Sequence, residues 1–349
     1  MHRFLISTLL LLAGILPAAQ AGEPFPADIF VEAGSHHVQG IAFDREAGCM
    51  YFSFTTQFIK TDLQGHVLGS IDHIQGHLGA MTFNPKDRKV YASLECKDDE
   101  VGRGLSGFAE GHSLFYVALI DVDKVTAVGM DSENNEAFKV ACIREAVRDF
   151  TAKVETGGRL LDHRHGCSGI DGVTLAPKTG RTGGRDFLWV AYGIYGDTTR
   201  TDNDDQVLLR YDLRTIRRSA RTVRFGEFDE SGPERPEEKR FIRTGNTTYG
   251  VQNMAYDPFT GLLFLAVYPG KKPGFPNHPL FIVDRGGNVR GCGFKWGATG
   301  LCPLGDGLWY ISKNGRNPET GRQFCHARLY RWTGDPADPF ERIEETVLK

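Results

Sequence analysis

The stretch VQNMAYDPFTGLLFLAV, residues 251–267, decides the fold. A short apolar run opens on a polar pair, Gln252 and Asn253, turns through Asp257, Pro258 and Gly261, and returns as a bulky apolar run. Turn formers between two such runs are the mark of a β-hairpin. The pattern recurs at VQGIAFDREAGCMYFSF (38–54), LGAMTFNPKDRKVYASL (78–94), IDGVTLAPKTG with DFLWVAYG (170–180 and 186–193) and ATGLCPLGDGLWYISKN (298–314). Repeated units of this kind bury their apolar faces only against one another, so the repeat predicts one stacked architecture.

Each hairpin is followed by a third strand-like segment: FIKTD (58–62), LFYVALIDV (114–122), VLLRYDL (207–213), LFIVD (280–284) and ARLYRW (327–332). A fourth is read at HVLGSI (66–71), EAFKVACI (136–143), ARTVRFGEF (220–228) and FERIEETVL (340–348). Four antiparallel strands per repeat define an all-β chain, a β-propeller of four-stranded blades. Gly40 to Gly79 and Asn253 to Gly300 each fit one blade, whereas the intervals Gly79 to Gly172 and Gly172 to Asn253 are nearly twice as long. The excess reads as long loops, giving five blades, with room for a sixth in those intervals. DIFVEA (28–33) is a candidate edge strand for the last blade, and REAVRDFTAKV (144–154) is the one fair helical pattern.

The chain begins with Arg3 ahead of an apolar run from Phe4 to Leu16 and small residues at Ala19 and Ala21, the form of a cleaved secretory signal. The expectation is a signal peptide over 1–21, a single propeller domain over 22–349, and a secreted or periplasmic protein without a membrane span. A net charge of −3 offers none of the basic surface that nucleic acid demands. Seven cysteines without a C-x-x-C pair read as buried thiols with room for a bridge.

In a propeller, the starts of the inner strands share a face with the loops joining second and third strands. The inner starts bring Gln39, His77, Asp171, Gln252, Asn253 and Thr299 into a polar collar. Asp171 with the amides Gln39, Gln252 and Asn253 suits a divalent cation, Ca²⁺ or Mg²⁺, and His77 would admit Zn²⁺ or Mn²⁺. A water-filled mouth with a polar rim is the plainer reading. Three of the long loops end at equivalent places in His112, His278 and His326, candidates with His77 for general acid or base work. Each of the three could equally serve only its own loop. Tyr192, Tyr195 and Tyr268, with Lys271 and Arg316, are candidate contacts for a carbohydrate ring bearing an anionic group. TRTDNDD (199–205) lacks the glycine and closing glutamate of a calcium loop, and HRHGCSG (163–169) offers His165 and Cys167 as a weaker nucleophile pair.

At IDGVTLAPKTG…DFLWVAYG and VQNMAYDP the chain resembles the exported gluconolactonase-type and TolB-like propellers. That resemblance implies a metal on the axis, held by acidic and asparagine residues at inner strand starts, which activates water or polarises a lactone carbonyl. Asp171 and Asn253 stand at such positions, and Gln39 stands where the pattern places an acid. Two functions are expected: a metal-assisted hydrolase or lyase for a small polar, carbohydrate-derived or anionic substrate, or a non-catalytic propeller binding a glycan or a protein partner on the same face.

Overall fold

The computed structural model describes residues 25–106, 111–181, 183–227, 229–295 and 299–347. The expected signal segment, 1–21, lies outside the described residues.

Five sheets with antiparallel blades follow one another along the chain, the first also taking Met130–Asp131 in parallel beside Val67–Asp72. Blade 1 comprises Gly40–Asp44, Cys49–Ser53, Phe58–Thr61 and Val67–Asp72; blade 2 comprises His77–Asn84, Lys89–Cys96, Leu114–Asp121 and Phe138–Cys142. Blade 3 comprises Cys167–Ala176, Phe187–Ile194, Asp205–Tyr211 and Glu238–Arg243, and blade 4 Thr248–Asp257, Leu262–Tyr268, Leu280–Val283 and Val289–Cys292. Blade 5 takes Leu301–Pro303, Leu308–Arg316 and Gln323–Trp332 from the end of the chain and Asp28–Glu32 from its beginning. The long third strand of blade 5 thus carries two edge partners. Asp28–Glu32 pairs its first half, Phe30 opposite His326, and Phe340–Arg342 pairs its second half, Phe340 opposite Trp332. The ring is closed by both ends of the chain, which together cover the outer edge of the long third strand.

The intervals with room for a sixth blade hold no further blade among the described residues. They carry the helices Glu100–Ser106, Arg144–Thr151 and Leu213–Ser219 and a separate two-stranded hairpin, Lys153–Thr156 with Arg159–Asp162. One strand assignment is corrected. ARTVRFGEF does not complete blade 3: Arg221–Thr222 adds to blade 2 beside Phe138–Cys142, and Glu238–Arg243 completes blade 3. The cause is the Leu213–Ser219 helix, whose Asp212 side chain accepts from Arg214 N and turns the chain back toward the previous blade. Glu238–Arg243 escaped notice because only Ile242 of this edge strand is buried.

The core lies between blades rather than at one centre. Blade 1 packs on blade 2 through Tyr51, Phe58, Val90 and Ala92, and blade 2 packs on blade 3 through Tyr91, Phe115, Ile170 and Leu188. Three equivalent clusters complete the circle. Neighbouring residues of one strand, Val90 and Tyr91, therefore face opposite blades, which is why second strands are apolar on both faces. Around the axis, small residues let the inner strands meet. A Cβ on Gly40 would stand 2.8 Å from Gly79 O and Met81 N, backbone atoms of the next blade.

All seven cysteines are buried and unbridged. Burial pushes the thiols of Cys96, Cys142 and Cys302 up to about 12, where almost no thiolate exists at neutral pH. The folded protein is therefore expected to be inert to Ellman's reagent, with seven thiols released on denaturation. Rapid reaction of the native protein would refute this burial pattern.

Candidate functional site at the axial mouth

Irregularities in three successive inner strands build the mouth. The hairpin register shifts between Leu78 and Met81 in blade 2, between Ile170 and Val173 in blade 3, and between Val251 and Asn253 in blade 4. Each β-bulge re-aims the polar residue beside it, a common use of bulges next to functional sites. Asp171 and Gln252 stand within these shifts, and His77 stands just before the first of them.

His77, Glu95 and Asp171 offer ligand atoms that all lie within 4.8 Å of one another. Glu95 is the penultimate residue of the second strand of blade 2, directly opposite His77 in the register. Its Oε1 accepts from the Ile170 backbone N–H at 2.8 Å, joining blade 2 to blade 3. This approach needs Gly169, with φ at +133°, since a Cβ there would stand 2.0 Å from Glu95 Oε1. Lys97 places its ammonium 3.1 Å from Glu95 Oε2 and 3.5 Å from Asp99 Oδ2. Gln252 Nε2 donates to Asp171 Oδ2 and to Tyr249 O, both at 3.0 Å. Tyr249 takes a positive φ of 65°, rare for a side chain of its size, and its exposed ring meets Tyr268 edge-on at 6.5 Å.

The electrostatics follow from crowding acids out of water. Burial, and then the nearby charge of Glu95, hold the Asp171 carboxyl well above its ordinary range, against the opposing pull of Lys97 and Gln252. Burial raises Glu95 too, opposed chiefly by Lys97. For Lys97, burial alone would favour the neutral amine, but Glu95, Asp171 and Asp99 outweigh it and the ammonium is reinforced. Burial, with help from Lys97, lowers His77 to about 4. Its Nδ1 is buried without a hydrogen-bond partner and faces Asp171 Oδ1 at 4.0 Å.

The cation-free protein should thus keep His77 neutral down to about pH 4. The unfolded chain takes up this proton near 6.5. The contribution of the imidazole to stability is then complete above pH 6.5 and lost as pH falls through about 4. An NMR titration of the ring checks this, and a midpoint near 6.5 would show that the ring is solvated.

Gln39 is buried and its Nε2 donates to His37 Nε2 at 2.6 Å. Asn253 is buried, its Nδ2 donating to Gln39 O and its Oδ1 accepting from Leu301 N. That amide stitches blade 4 to blades 1 and 5 and is already engaged on both atoms. The three loop histidines do not gather. His326 bonds Asp28 on the outer strand of blade 5, His278 packs against Gly291 on the outer strand of blade 4, and His112 is exposed beside blade 2. Third strands lie away from the axis, and these loops do not bring their histidines inward.

Tyr192 points into the interface of blades 2 and 3, its hydroxyl donating to Asp149 at 2.8 Å, so it offers no surface to a ligand. Tyr195 is half-buried against the His163 ring, whereas Tyr268 is on the rim. Lys271 is exposed, and Arg316 Nε donates to Gly321 O within its own loop. Cys167 is wholly buried with its thiol raised by burial, which removes it as a nucleophile. Asp202 and Asp204 are taken up by Arg200 and by Lys272 and Arg243.

Glu95 and Lys97 were missed from sequence because they sit at the end of an apolar strand rather than at an inner strand start. A signal was present. At the repeat position of Glu95 the other blades carry Thr55, Gly193, Tyr268 and Asn314, so an acid there stands out.

Fold and mouth together define a five-bladed β-propeller with a carboxylate, imidazole and ammonium cluster where blades 2 and 3 meet. No protein-family model and no curated protein matches the chain. Among solved structures it is similar to the calcium-binding protein regucalcin of Agrobacterium tumefaciens, at 11% identity over 88% of this chain and 98% of that one, with a TM-score of 0.40. It is also similar to a gluconolactonase of Xanthomonas campestris (11% identity, 89% and 99% covered, TM-score 0.38) and to hydrazine synthase of Kuenenia stuttgartiensis (13%, 85% and 77%, 0.41). The propeller rests on the strand pairing above, and likeness at this level adds nothing about chemistry.

Proposed function

We propose that the axial mouth holds a divalent cation through Asp171, Glu95 and His77, and that the protein is an exported hydrolase or lyase for a small polar, carbohydrate-derived or anionic substrate. The observation that carries this reading is the meeting of three donors within 4.8 Å together with an orphaned, buried His77 Nδ1. Two carboxyls raised in pKa by burial are what a dication would relieve. Two carboxylates with one imidazole suit Mn²⁺ or Zn²⁺ as well as Ca²⁺ or Mg²⁺.

A bound cation supplies Lewis-acid polarisation of a carbonyl or phosphoryl oxygen. The residues of the chain do the rest. Gln252 orients Asp171 and ties it to the Tyr249 backbone. Tyr249 and Tyr268, both exposed on the blade 4 rim, offer aromatic faces to a sugar ring. That exposed pair also favours the second reading, a non-catalytic glycan-binding propeller, and a protein ligand would use the same rim.

Metal analysis of the purified protein, joined to turnover assays on lactone, phosphoester and glycan panels, separates the two. Stoichiometric metal with turnover supports the enzyme. A metal-free protein that still binds glycan supports the binder.

A further inference from the structure

The two oxygens of Glu95 have different partners. Oε1 is committed to the Ile170 N–H, and Oε2 faces the Lys97 ammonium at 3.1 Å. Oε2 is thus the oxygen that Glu95 has to offer a cation, and Lys97 already holds it. The same ammonium has a second carboxylate within reach, Asp99 at 3.5 Å. The Lys97 side chain is 17% exposed and sits on a flexible four-carbon stem, so its head can shift between the two acids without unfolding anything.

We propose that Lys97 is an internal competitor for the cation, holding Glu95 Oε2 in the empty protein and moving to Asp99 when the cation binds. This rests on the cation reading above and extends it to how the site is kept neutral and how strongly it binds. The physical reason is charge. Two carboxylates gathered out of water with no positive partner would repel one another, and Lys97 offsets that repulsion while the site is empty. A dication arriving beside an ammonium a few ångströms away meets like-charge repulsion, which moving the ammonium reduces. Asp99, at the start of the long loop of blade 2, provides the place to which it moves.

The test is Mn²⁺ binding by titration calorimetry at fixed pH and ionic strength, a readout independent of turnover. Lys97→Met should bind Mn²⁺ about tenfold or more tightly than wild type, because one competitor is gone. Lys97→Arg, which keeps the charge, should not gain affinity. Asp99→Asn should weaken binding in the wild-type background and have a smaller effect in Lys97→Met, since the role of Asp99 as an alternative partner requires the lysine. Lys97→Gln replaces Lys97→Met if the latter fails to fold.

Equal or weaker binding by the neutral variant overturns the proposal while leaving the cation site standing. An Asp99→Asn effect of the same size in both backgrounds also overturns it, because that result describes a distant charge and nothing more. If neither wild type nor Lys97→Met binds Mn²⁺, the cation reading itself fails, and the displacement with it.

Discussion

Asp171→Asn is expected to lose divalent-cation affinity by about 100-fold or more while leaving the melting temperature unchanged or slightly higher. The two effects have one origin. Asp171 is one of three donors at the axis, and ligand charge count is what most strongly sets the affinity of such sites. Asparagine keeps the shape and can still accept from Gln252, so the contact with blade 4 survives.

The expected direction for stability comes from linkage. The carboxyl is raised in the folded protein, so its contribution to stability is present below its ordinary pKa of 3.8 and is lost as pH rises through the folded value. At neutral pH a neutral amide therefore costs nothing and relieves the crowding with Glu95. Calorimetric metal titration and a thermal melt of the same preparation read the two effects side by side. A variant that binds metal as wild type does would remove Asp171 from the site. A large drop in melting temperature would show that its role is structural.

Deleting residues 25–33 should prevent folding rather than merely loosen one end. Those residues contribute Phe25, Ile29 and Val31 to the core between blades 5 and 1, each almost fully buried. At about 1.5–3 kcal/mol per buried side chain, their loss comes to about 5–9 kcal/mol, comparable with the whole stability of an ordinary domain. The deletion also bares the edge of Gln323–Trp332 opposite Asp28–Glu32 and removes the hydrogen bond between Asp28 and His326 and the ion pair between Asp28 and Arg328. An open edge in a repeat protein invites association, so the truncated chain should appear as insoluble or oligomeric material in size-exclusion chromatography. A soluble, cooperatively melting monomer would mean that four complete blades and a partial fifth hold together without closure.

The long, doubly buried strands were the most legible part of this sequence. In WVAY and VYA successive residues face alternate neighbouring blades, so burial writes itself into the chain as an unbroken apolar run. Edge strands were less legible, for the complementary reason. Glu238–Arg243 turns a single residue inward, and its highly charged surroundings read as loop. ARTVRFGEF carried a strand pattern yet paired with the preceding blade, because the helix before it reversed the path of the chain.

The site divided along the same line. Asp171 and His77 were found because inner strand starts recur at a fixed place in the repeat. Asn253 was found by the same rule, but its amide is consumed in joining blades. The loop histidines recur just as regularly, yet sequence period carries no information on distance from the axis, and the outer strands of blades 4 and 5 keep His278 and His326 there.

By itself the sequence determined the hairpin repeat, the blade architecture, the strand able to close the ring, and two of the three clustered donors, because all of these follow from local alternation and turn chemistry. Only the tertiary structure decided that Glu95 and Lys97 belong to the mouth, that three histidines do not, and that five blades complete the circle. Those outcomes depend on bulges that redirect single side chains, on glycines such as Gly40 and Gly169 that let one blade reach the next, and on charges meeting across a ring. Each joins residues far apart in the chain, and such contacts leave little trace in the order of the residues.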